Sequence, residues 1–437
     1  MTDSTPAPPE RGPTALDRRF YHLASTETWE RFSLHGVKAL LTLYLIDHVL
    51  VGDSGAILGL APARKILEAL SGPLTALAFA SQLYGLYAAL SYLVLPIGGA
   101  IGDRVLGRRR TIMLGALLIA SGHLCLMREA LLLPALALLI AGTGCMKANL
   151  SAQVGDLFPA GDSRRNRAFV VYLAFLNIGV MLGPLVCGLL AQQFGWRYGF
   201  AAAALGMVVA LAIYLSAPSA LPALAASPMQ RTAQRPRLSG TAVATIVIVV
   251  LAFCAYEQMS NIFLVWIAGH VRLDVAGFPV PPAWFAAADG FFTILLVALV
   301  TSIGKSRARH GHAALSPATV LAMGCGAIGM GFIVLASAAL TGSDSAFVPL
   351  ATLVLLDLGV VLVWPAGLAL VTASAPAGAG GTMVGLFYLH GFFANMFVGW
   401  IGGFYERVSI AVFWSWHAAI AGVALLLALA LRRTISR

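Results

Sequence analysis

The stretch GGAIGDRVLGRRRT, residues 98–111, lies between two long apolar runs and carries one acid and four arginines. Its glycines have no side chain, so two helices that meet there can approach closely. Asp103 stands beside a basic run, and such an acid and its arginines can form a charge relay that holds one conformation. The alternative is a solvated basic turn without further role. The spacing of the Gly, Asp and Arg residues favours the relay.

The composition indicates a membrane protein. The chain of 437 residues is 59% hydrophobic and 11% charged, and its mean hydropathy is +0.86. A soluble globule of this size needs more polar surface. A helix that crosses a bilayer needs about 20 mostly apolar residues, and such runs occur twelve times, six between residues 30 and 216 and six between 240 and 431. We therefore predict an all-α membrane protein with twelve transmembrane helices.

The positive charges predict the orientation of these helices. Short cytoplasmic loops retain Lys and Arg. With a cytoplasmic N-terminus, the cytoplasmic segments hold 19 of the 28 Lys and Arg residues and the outer loops hold six. Both termini are therefore expected on the cytoplasmic side of the plasma membrane. The net charge of +10 then reflects topology and attraction to the inner leaflet, and a nucleic-acid partner is disfavoured because the basic residues do not gather on one soluble face.

A polar segment divides the chain into two halves. Residues 217–239 are rich in Pro, Ala and Ser and carry three arginines, so they are predicted to be a cytoplasmic linker. It would join a six-helix bundle at 25–216 to a second at 240–437. Residues 1–24 are Pro-rich and polar, which predicts a flexible cytoplasmic tail.

Two six-helix bundles joined in this way are the plan of the major facilitator superfamily, whose halves rock around a site near the midplane. The stretch at 98–111 resembles the signature of that superfamily between helices 2 and 3. The residues of this predicted conformational motif are Gly99, Asp103, Arg104, Arg108 and Arg109.

Three ionised side chains occur together at the start of the first apolar run. Glu27, Glu30 and Arg31 share one face of a helix. A charge inside a bilayer costs at least about 2.5 kcal/mol, so such groups usually pair and usually function. A lone ion pair could be a structural staple, but two carboxylates that compete for one guanidinium can take up and release a proton.

Further charges lie within the predicted spans. Lys38 is two turns beyond Arg31, and Glu257 lies in the seventh run. An ion pair between Lys38 and Glu257 would link the two bundles, and protonation of the glutamate would release it. Lys147 lies well inside the fourth run, where a lysine that snorkels to the interface is the less favoured interpretation.

In these residues the chain resembles the proton-dependent oligopeptide transporters, the peptide-transporting branch of the superfamily. The helix 1 signature of that family, Glu-x-x-Glu-Arg-Phe, matches ETWERF at 27–32. Similar passages of helices 4 to 8 are KANLSAQVGDLFPAGDSRRNRAF at 147–169, FLNIG at 175–179, YEQ at 256–258 and VPPAWF at 280–285. The similarity runs in order from about residue 27 to residue 400.

The resemblance implies a role for each matching residue. Lys147 would bind the substrate carboxylate, Asn177 would help to hold the amino end of the peptide, and Tyr92 would line the pocket. The residues that would couple transport to protons are Glu27, Glu30, Arg31, Glu257 and Lys38, the last of which stands where the family often has Arg.

Several positions depart from the family pattern. Leu34 and His35 replace a Tyr pair, which removes two phenolic hydrogen bonds. Val360 stands where a helix 10 glutamate normally meets the ammonium group of the peptide, and Asp289 stands where helix 8 has Asn. We expect Asp289 to be the new counter-ion of the amine, because a buried acid needs a partner or a proton. The alternative is a substrate without a free amine. For Asp357, one turn before Val360, a satisfied polar residue at a helix interface is an equal alternative.

Histidine and aromatic side chains complete the candidate pocket. His35 and His390 are expected near the cavity, although a histidine in a membrane is more often a packing residue than a proton carrier. Trp284 and Phe387 are predicted to be pocket or interface aromatics. The five cysteines are scattered through apolar runs without the CxxC spacing of a metal site.

The sequence thus predicts a proton-coupled symporter that imports small peptides or peptide-like molecules by alternating access. Its partners would be a di- or tripeptide or a similar substrate, protons and the lipid bilayer, with no cofactor besides the proton gradient, and a monomer is expected. One rival is an exporter of a peptide-like natural product or drug, which the altered amine site favours. Another is a sensor that binds without transport, which the intact coupling group disfavours. No nucleophile elbow, metal-ligand spacing or phosphate loop indicates an enzyme.

Overall fold

The chain is helical almost throughout. The computed structural model describes residues 16–52, 56–158, 162, 164–217, 239–374 and 380–435. In the first half the helices are α1 Arg18–Tyr44, α2 Leu60–Ser71, α3 Ala76–Leu93, α4 Leu95–Arg104, α5 Arg108–Leu126, α6 Leu132–Asp156, α7 Arg165–Phe194 and α8 Trp196–Ser216. In the second half they are α9 Gly240–Tyr256, α10 Ile262–His270, α11 Ala283–Arg309, α12 Pro317–Thr341, α13 Phe347–Ala373, α14 Gly380–Gly402 and α15 Ile410–Ile435. A short hairpin, β1 Asp274–Val275 with β2 Phe278–Pro279, precedes α11.

The helices agree with the predicted spans. Ten segments of the described chain are long and apolar enough to cross a membrane, and α1 and α5 lie at the two remaining predicted runs. These two are less apolar because α1 carries the charged motif and α5 begins with three arginines. The chain is a multi-pass membrane protein of the predicted all-α class.

The domain limits stay partly untested. Most of the predicted tail and linker, residues 1–15 and 218–238, lies outside the described residues. Within the predicted tail, α1 already begins at Arg18, because Asp17 caps it by accepting a hydrogen bond from the backbone N–H of Arg19.

Each half packs mainly on itself. In the first half α1 lies against α7 and α8, and α5 lies against α6 and α8. In the second half α12 lies against α13 and α15, and α9 contacts α13, α14 and α15. The two halves meet where α3 contacts α14 and where α7 contacts α11.

Two predicted spans are broken helices. The second run is divided into α3 and α4 at Val94, with Pro96 in the first turn of α4. The seventh run is divided into α9 and α10 by a 3-10 turn at Glu257–Ser260, after which the backbone of Asn261 leaves the helical region. The second break places Glu257 at the junction of two short helices rather than along a continuous one.

Glycines permit the closest contact beside the conformational motif. A Cβ on Gly98 would overlap the carbonyl of Gly144 in α6, and one on Gly102 would overlap the side chain of Asn149. Asn149 Nδ2 donates to the carbonyl of Gly98 at 2.9 Å. A Cβ on Gly99, the predicted motif glycine, would lie 3.7 Å from Ala148 Cβ, which is an ordinary contact. The close approach is therefore made by Gly98 and Gly102.

The end of α8 and the start of α9 lie on the same side of the bilayer, which we call the linker side. The opposite side is called the far side. Toward the far side the halves are joined by a polar chain: Thr42 Oγ1 donates to Asn261 Oδ1 (3.0 Å), Asn261 Nδ2 to Ser81 Oγ (2.7 Å), and Ser81 Oγ to the carbonyl of Gly399 (3.1 Å). Gly85 of α3 also packs directly against the backbone of Gly399 in α14. The structure is therefore closed on the far side.

Candidate functional site

A cavity of about 190 Å³ lies between the two halves. It is smaller than the roughly 300–1,000 Å³ of common ligand pockets, so it suits a compact ligand. Its wall from the first half consists of Arg31, Leu34, His35, Lys38, Tyr87, Ala88, Ser91, Tyr92, Thr143 and Lys147. Its wall from the second half consists of Phe253, Tyr256, Glu257, Met259, Ser260 and Asp289.

The helix 1 acids are unequally paired. Arg31 Nη2 lies 2.6 Å from Glu27 Oε1, whereas its Nε lies 3.4 Å from Glu30 Oε2. Both glutamates are buried, and among the residues that the structure describes no donor forms a hydrogen bond with either oxygen of Glu30. Glu30 is thus the acid with the poorer partner, so it is the better candidate for a proton.

One ion pair crosses the cavity. Lys38 Nζ of α1 lies 3.4 Å from Glu257 Oε2, and Tyr92 Oη of α3 donates to Glu257 Oε1 at 3.4 Å. The break between α9 and α10 turns Glu257 toward both groups. Loss of charge on Glu257 would weaken contacts from two helices of the first half at once.

Lys147 lies on the first wall of the cavity. Its Nζ lies 5.4 Å from the centre of the Tyr92 ring, a distance that permits a cation–π interaction. No acid of the described part of the chain forms an ion pair with it. A half-buried ammonium group without an ion pair can bind the carboxylate of a ligand.

Asp289 occupies the opposite wall. Tyr256 Oη donates to its Oδ1 at 2.9 Å. Asp357 of α13 is fully buried, and its side chain lies within hydrogen-bonding reach of Asp289. No N–H or O–H of the described chain donates to either oxygen of Asp357. An ionised Asp357 would therefore have no hydrogen-bond donor among the residues that the structure describes.

Asn177 and Trp284 do not line this cavity. Asn177 Nδ2 donates to the carbonyl of Leu173 (2.9 Å) and borders a second cavity of about 470 Å³ between α7 and α11. Trp284 Nε1 donates to the carbonyl of Leu185 at 3.0 Å and joins α11 to α7. Their predicted contacts with substrate stay predictions that this closed state does not display.

Phe387 and His390 pack behind the cavity wall. Both are buried, and the His390 Nδ1 lies 2.6 Å from the carbonyl of Phe387. The His390 ring contacts Phe253, with 4.4 Å between ring centres. These two residues support a lining side chain without reaching the cavity themselves, whereas His35 and Leu34 do line it.

Sequence reasoning missed several lining residues. Thr143 lies four residues before Lys147, and Ala88 lies four before Tyr92. Residues four apart share a helix face, so helical spacing from the predicted residues could have found them. Tyr256 directly precedes Glu257, but only the helix break explains why both reach the cavity.

The conformational motif connects three helices. Arg108 Nε of α5 donates to Asp103 Oδ1 of α4 at 2.9 Å, and the same guanidinium pairs with Asp156 at the end of α6. Asp156 is not among the residues predicted for this motif. No ion pair of Arg104 or Arg109 occurs in the ranges that the structure covers.

Comparisons with known proteins agree with this architecture. The family model described as Major Facilitator Superfamily matches residues 49–399. The uncharacterized transporter YclF of Bacillus subtilis is 24% identical over 98% of this chain and 96% of its own length, and the peptide transporter YePEPT of Yersinia enterocolitica is 27% identical over 86% of each chain. A crystal structure of a peptide transporter POT mutant in complex with alafosfalin superposes with a TM-score of 0.81, at 24% identity, over 97% of this chain and 95% of that one.

Proposed function

Because the chain belongs to the major facilitator superfamily, as a divergent relative of the proton-dependent oligopeptide transporters, we propose that it is a proton-coupled symporter that imports small peptides or peptide-like molecules by alternating access. The observation that carries this proposal is the unlike charge of the two cavity walls. Lys147 lies on one and Asp289 on the other. This arrangement suits a ligand with a carboxylate at one end and an ammonium group at the other.

Substrate recognition then follows from the free charges. Lys147 Nζ binds the substrate carboxylate, with Tyr92 beneath it. Asp289 binds the ammonium group in place of the helix 10 glutamate that Val360 replaces. Leu34 and His35 replace two phenols, so this part of the pocket discriminates by shape and apolar contact more than by hydrogen bonds.

Proton coupling uses the acids with weak partners. Glu30 takes up a proton because Arg31 is committed to Glu27. Protonation of Glu257 releases Lys38, which removes an ionic contact between the halves and lets the far side open. Substrate that bridges Lys147 and Asp289 draws the halves together again.

The location completes the proposal. With 19 of 28 Lys and Arg residues in the segments that the sequence predicts to be cytoplasmic, we assign the linker side to the cytoplasm and place the protein in the plasma membrane. The structure then represents the state closed to the outside. The proton gradient is the energy source, no cofactor is needed, and a monomer contains the complete site.

The test is uptake of a labelled dipeptide by proteoliposomes with an inward proton gradient. We expect the native protein to accumulate the dipeptide, and Glu30→Gln to lose accumulation while it keeps exchange of labelled for unlabelled peptide. Glu129→Gln is the matched control, because the Glu129 side chain is 43% exposed and pairs with His48 away from the cavity.

Two outcomes would contradict the proposal. Accumulation by Glu30→Gln at the native rate would remove Glu30 from coupling. No accumulation by the native protein in sealed liposomes would mean another substrate or direction, and export of blocked or cyclic peptides would be measured next.

A further inference from the structure

The second half has more carboxyl groups at the cavity than nearby cations to pair with them. Glu257 is paired with Lys38. Asp289 receives a hydrogen bond from Tyr256, and Asp357 receives none in the part of the chain that the structure describes. Four charged or titratable groups lie close enough to Asp289 to interact with its carboxyl group: Tyr256, Glu257, Lys38 and Asp357. The neighbours of this kind around Asp357 are Asp289 and Tyr256.

Two carboxyl groups in this position cannot both be ionised. Asp289 and Asp357 lie within hydrogen-bonding reach of each other, deep between α11 and α13. Like charges in a medium of low polarity repel strongly, so such a pair retains one proton. A hydrogen bond between two carboxyl groups also requires a proton, because a carboxylate has no donor.

The surroundings determine which acid holds this proton. Asp289 lines the cavity and accepts a hydrogen bond from the Tyr256 hydroxyl, which stabilises a negative charge there. Asp357 is fully buried and does not line the cavity, and no group of the described residues donates a hydrogen bond to it. The charge therefore lies on Asp289 and the proton on Asp357.

We propose that Asp357 is a neutral carboxylic acid that donates a hydrogen bond to Asp289, and that the pair thereby presents a single oriented negative charge that binds a primary ammonium group. The inference rests on the proposed function, which supplies a substrate with an amine, and names the chemistry of that part of the substrate. Asp357 is a positioning residue, since it acts through Asp289 and keeps its proton throughout the cycle.

The test is equilibrium binding by calorimetry to the full chain in detergent, with alanyl-alanine and N-acetyl-alanyl-alanine as probes. Asp289→Asn should bind alanyl-alanine about tenfold or more weakly, because a hydrogen bond to a charged group is lost, and should no longer distinguish the two probes. Asp357→Asn keeps a neutral donor and should stay within about threefold of the native affinity, whereas Asp357→Leu has no donor and should lose about tenfold. Asp344→Asn is the control, because Asp344 is exposed and paired with Arg272.

A second readout does not depend on affinity. The infrared spectrum of the native protein at neutral pH should contain a protonated-carboxyl band that Asp357→Asn lacks and that substrate leaves in place. An unchanged band in Asp357→Asn, or equal losses of affinity in Asp357→Asn and a well-folded Asp357→Leu, would overturn the proposal. Release of one proton on binding by the native protein, absent from Asp357→Asn, would show that the ammonium displaces the proton and would also overturn it.

These measurements separate the two proposals. Binding in detergent needs neither a gradient nor a direction, so intact amine recognition without gradient-driven uptake contradicts only the transport proposal. Gradient-driven uptake with equal affinity for free and acetylated probes leaves proton-coupled transport intact and contradicts recognition of the amine by Asp289 and Asp357.

Discussion

The two walls of the cavity differ in how their charges are balanced. The first half contributes three cations, Arg31, Lys38 and Lys147, and has two acids on the same helix as Arg31. The second half contributes acids, and none of its lining residues is a cation. The only ion pair that relates the walls is Lys38 with Glu257, within the residues that the structure covers. Neither half is neutral alone, so a dipolar ligand and mobile protons can complete both.

Each half combines one charged group that faces the ligand with one acid that lacks a hydrogen-bond donor among the described residues, and the ligand-facing charges have opposite signs. Among the residues that the structure describes, the first half has a cation without an ion pair, Lys147, and an acid without a hydrogen bond, Glu30. The second half has the ligand-facing Asp289 and, behind it, Asp357, to which no described group donates. The difference is that the protonatable acid of the first half lies beside an arginine, whereas that of the second lies beside another acid. We therefore expect Glu30 to exchange its proton during transport and Asp357 to retain its own.

The largest effect should come from removing the arginine of the first half. Arg31→Gln leaves Glu27 and Glu30 buried without their cation. Breaking a buried pair in this way costs about 3–5 kcal/mol, and we expect that loss in the free energy of unfolding, measured by denaturant in detergent. Glu27→Gln combined with Arg31→Gln should recover part of it, and a loss below about 1 kcal/mol in the single variant would contradict the assigned burial of charge.

The ligand-facing charge of the first half should come next. Lys147→Ala removes the free ammonium group, and we expect the affinity for dipeptides to fall about 10- to 100-fold, since hydrogen bonds to charged groups contribute about 1.5–3 kcal/mol. C-terminally amidated dipeptides serve as the comparison, measured by calorimetry. An equal loss for acid and amide would show that Lys147 does not recognise the carboxylate.

The ion pair between the walls should have a measurable coupling energy. Lys38→Met and Glu257→Gln each leave one buried group without its partner, while the double variant removes both. The free energies of unfolding in a double-mutant cycle should show a coupling of about 0.5–3 kcal/mol. Additive losses would mean that the contact of 3.4 Å contributes nothing to the closed state.

The smallest effect should come from an ion pair outside the cavity. Arg272 Nη2 lies 2.7 Å from Asp344 Oδ2, a shorter contact than that of Lys38, but the two side chains are 74% and 55% exposed. Exposed pairs contribute about 0–1 kcal/mol, so Arg272→Gln should leave the free energy of unfolding and the uptake rate within that range. A larger loss would show that distance rather than burial controls the charged contacts of this protein.

Much of the fold and part of the site could be predicted from the sequence. The apolar runs predict the spans because the bilayer fixes their length. The prediction that the chain resembles proton-dependent oligopeptide transporters is confirmed by the comparisons. The grouping of Glu27, Glu30 and Arg31 follows from helical spacing on one helix, which needs no tertiary information.

The rest depends on how helices are rotated about their axes. Lipid-facing and core-facing residues are both apolar in a membrane, so the pattern does not indicate which face of α11 or α14 meets the cavity. This is why the sequence predicts Trp284 and Phe387 only as pocket or interface aromatics, and in this structure both make contacts between helices. The contact of Asp289 with Asp357 joins residues of two helices, and no spacing along the chain predicts it.

The backbone contact of Gly85 with Gly399 has a consequence for the populations of the two transport states. A Cβ on Gly85 would lie 2.5 Å from Gly399 Cα and 2.6 Å from the carbonyl oxygen of Asn395. The added methyl group of Gly85→Ala would therefore clash with α14 and destabilise only the state that is closed on the far side. Each 1.4 kcal/mol of such a penalty shifts the equilibrium about tenfold toward the open state, which the distance between far-side spin labels on the two halves would report. A glycine without any charge can thus set the share of molecules whose charged cavity is closed on the far side.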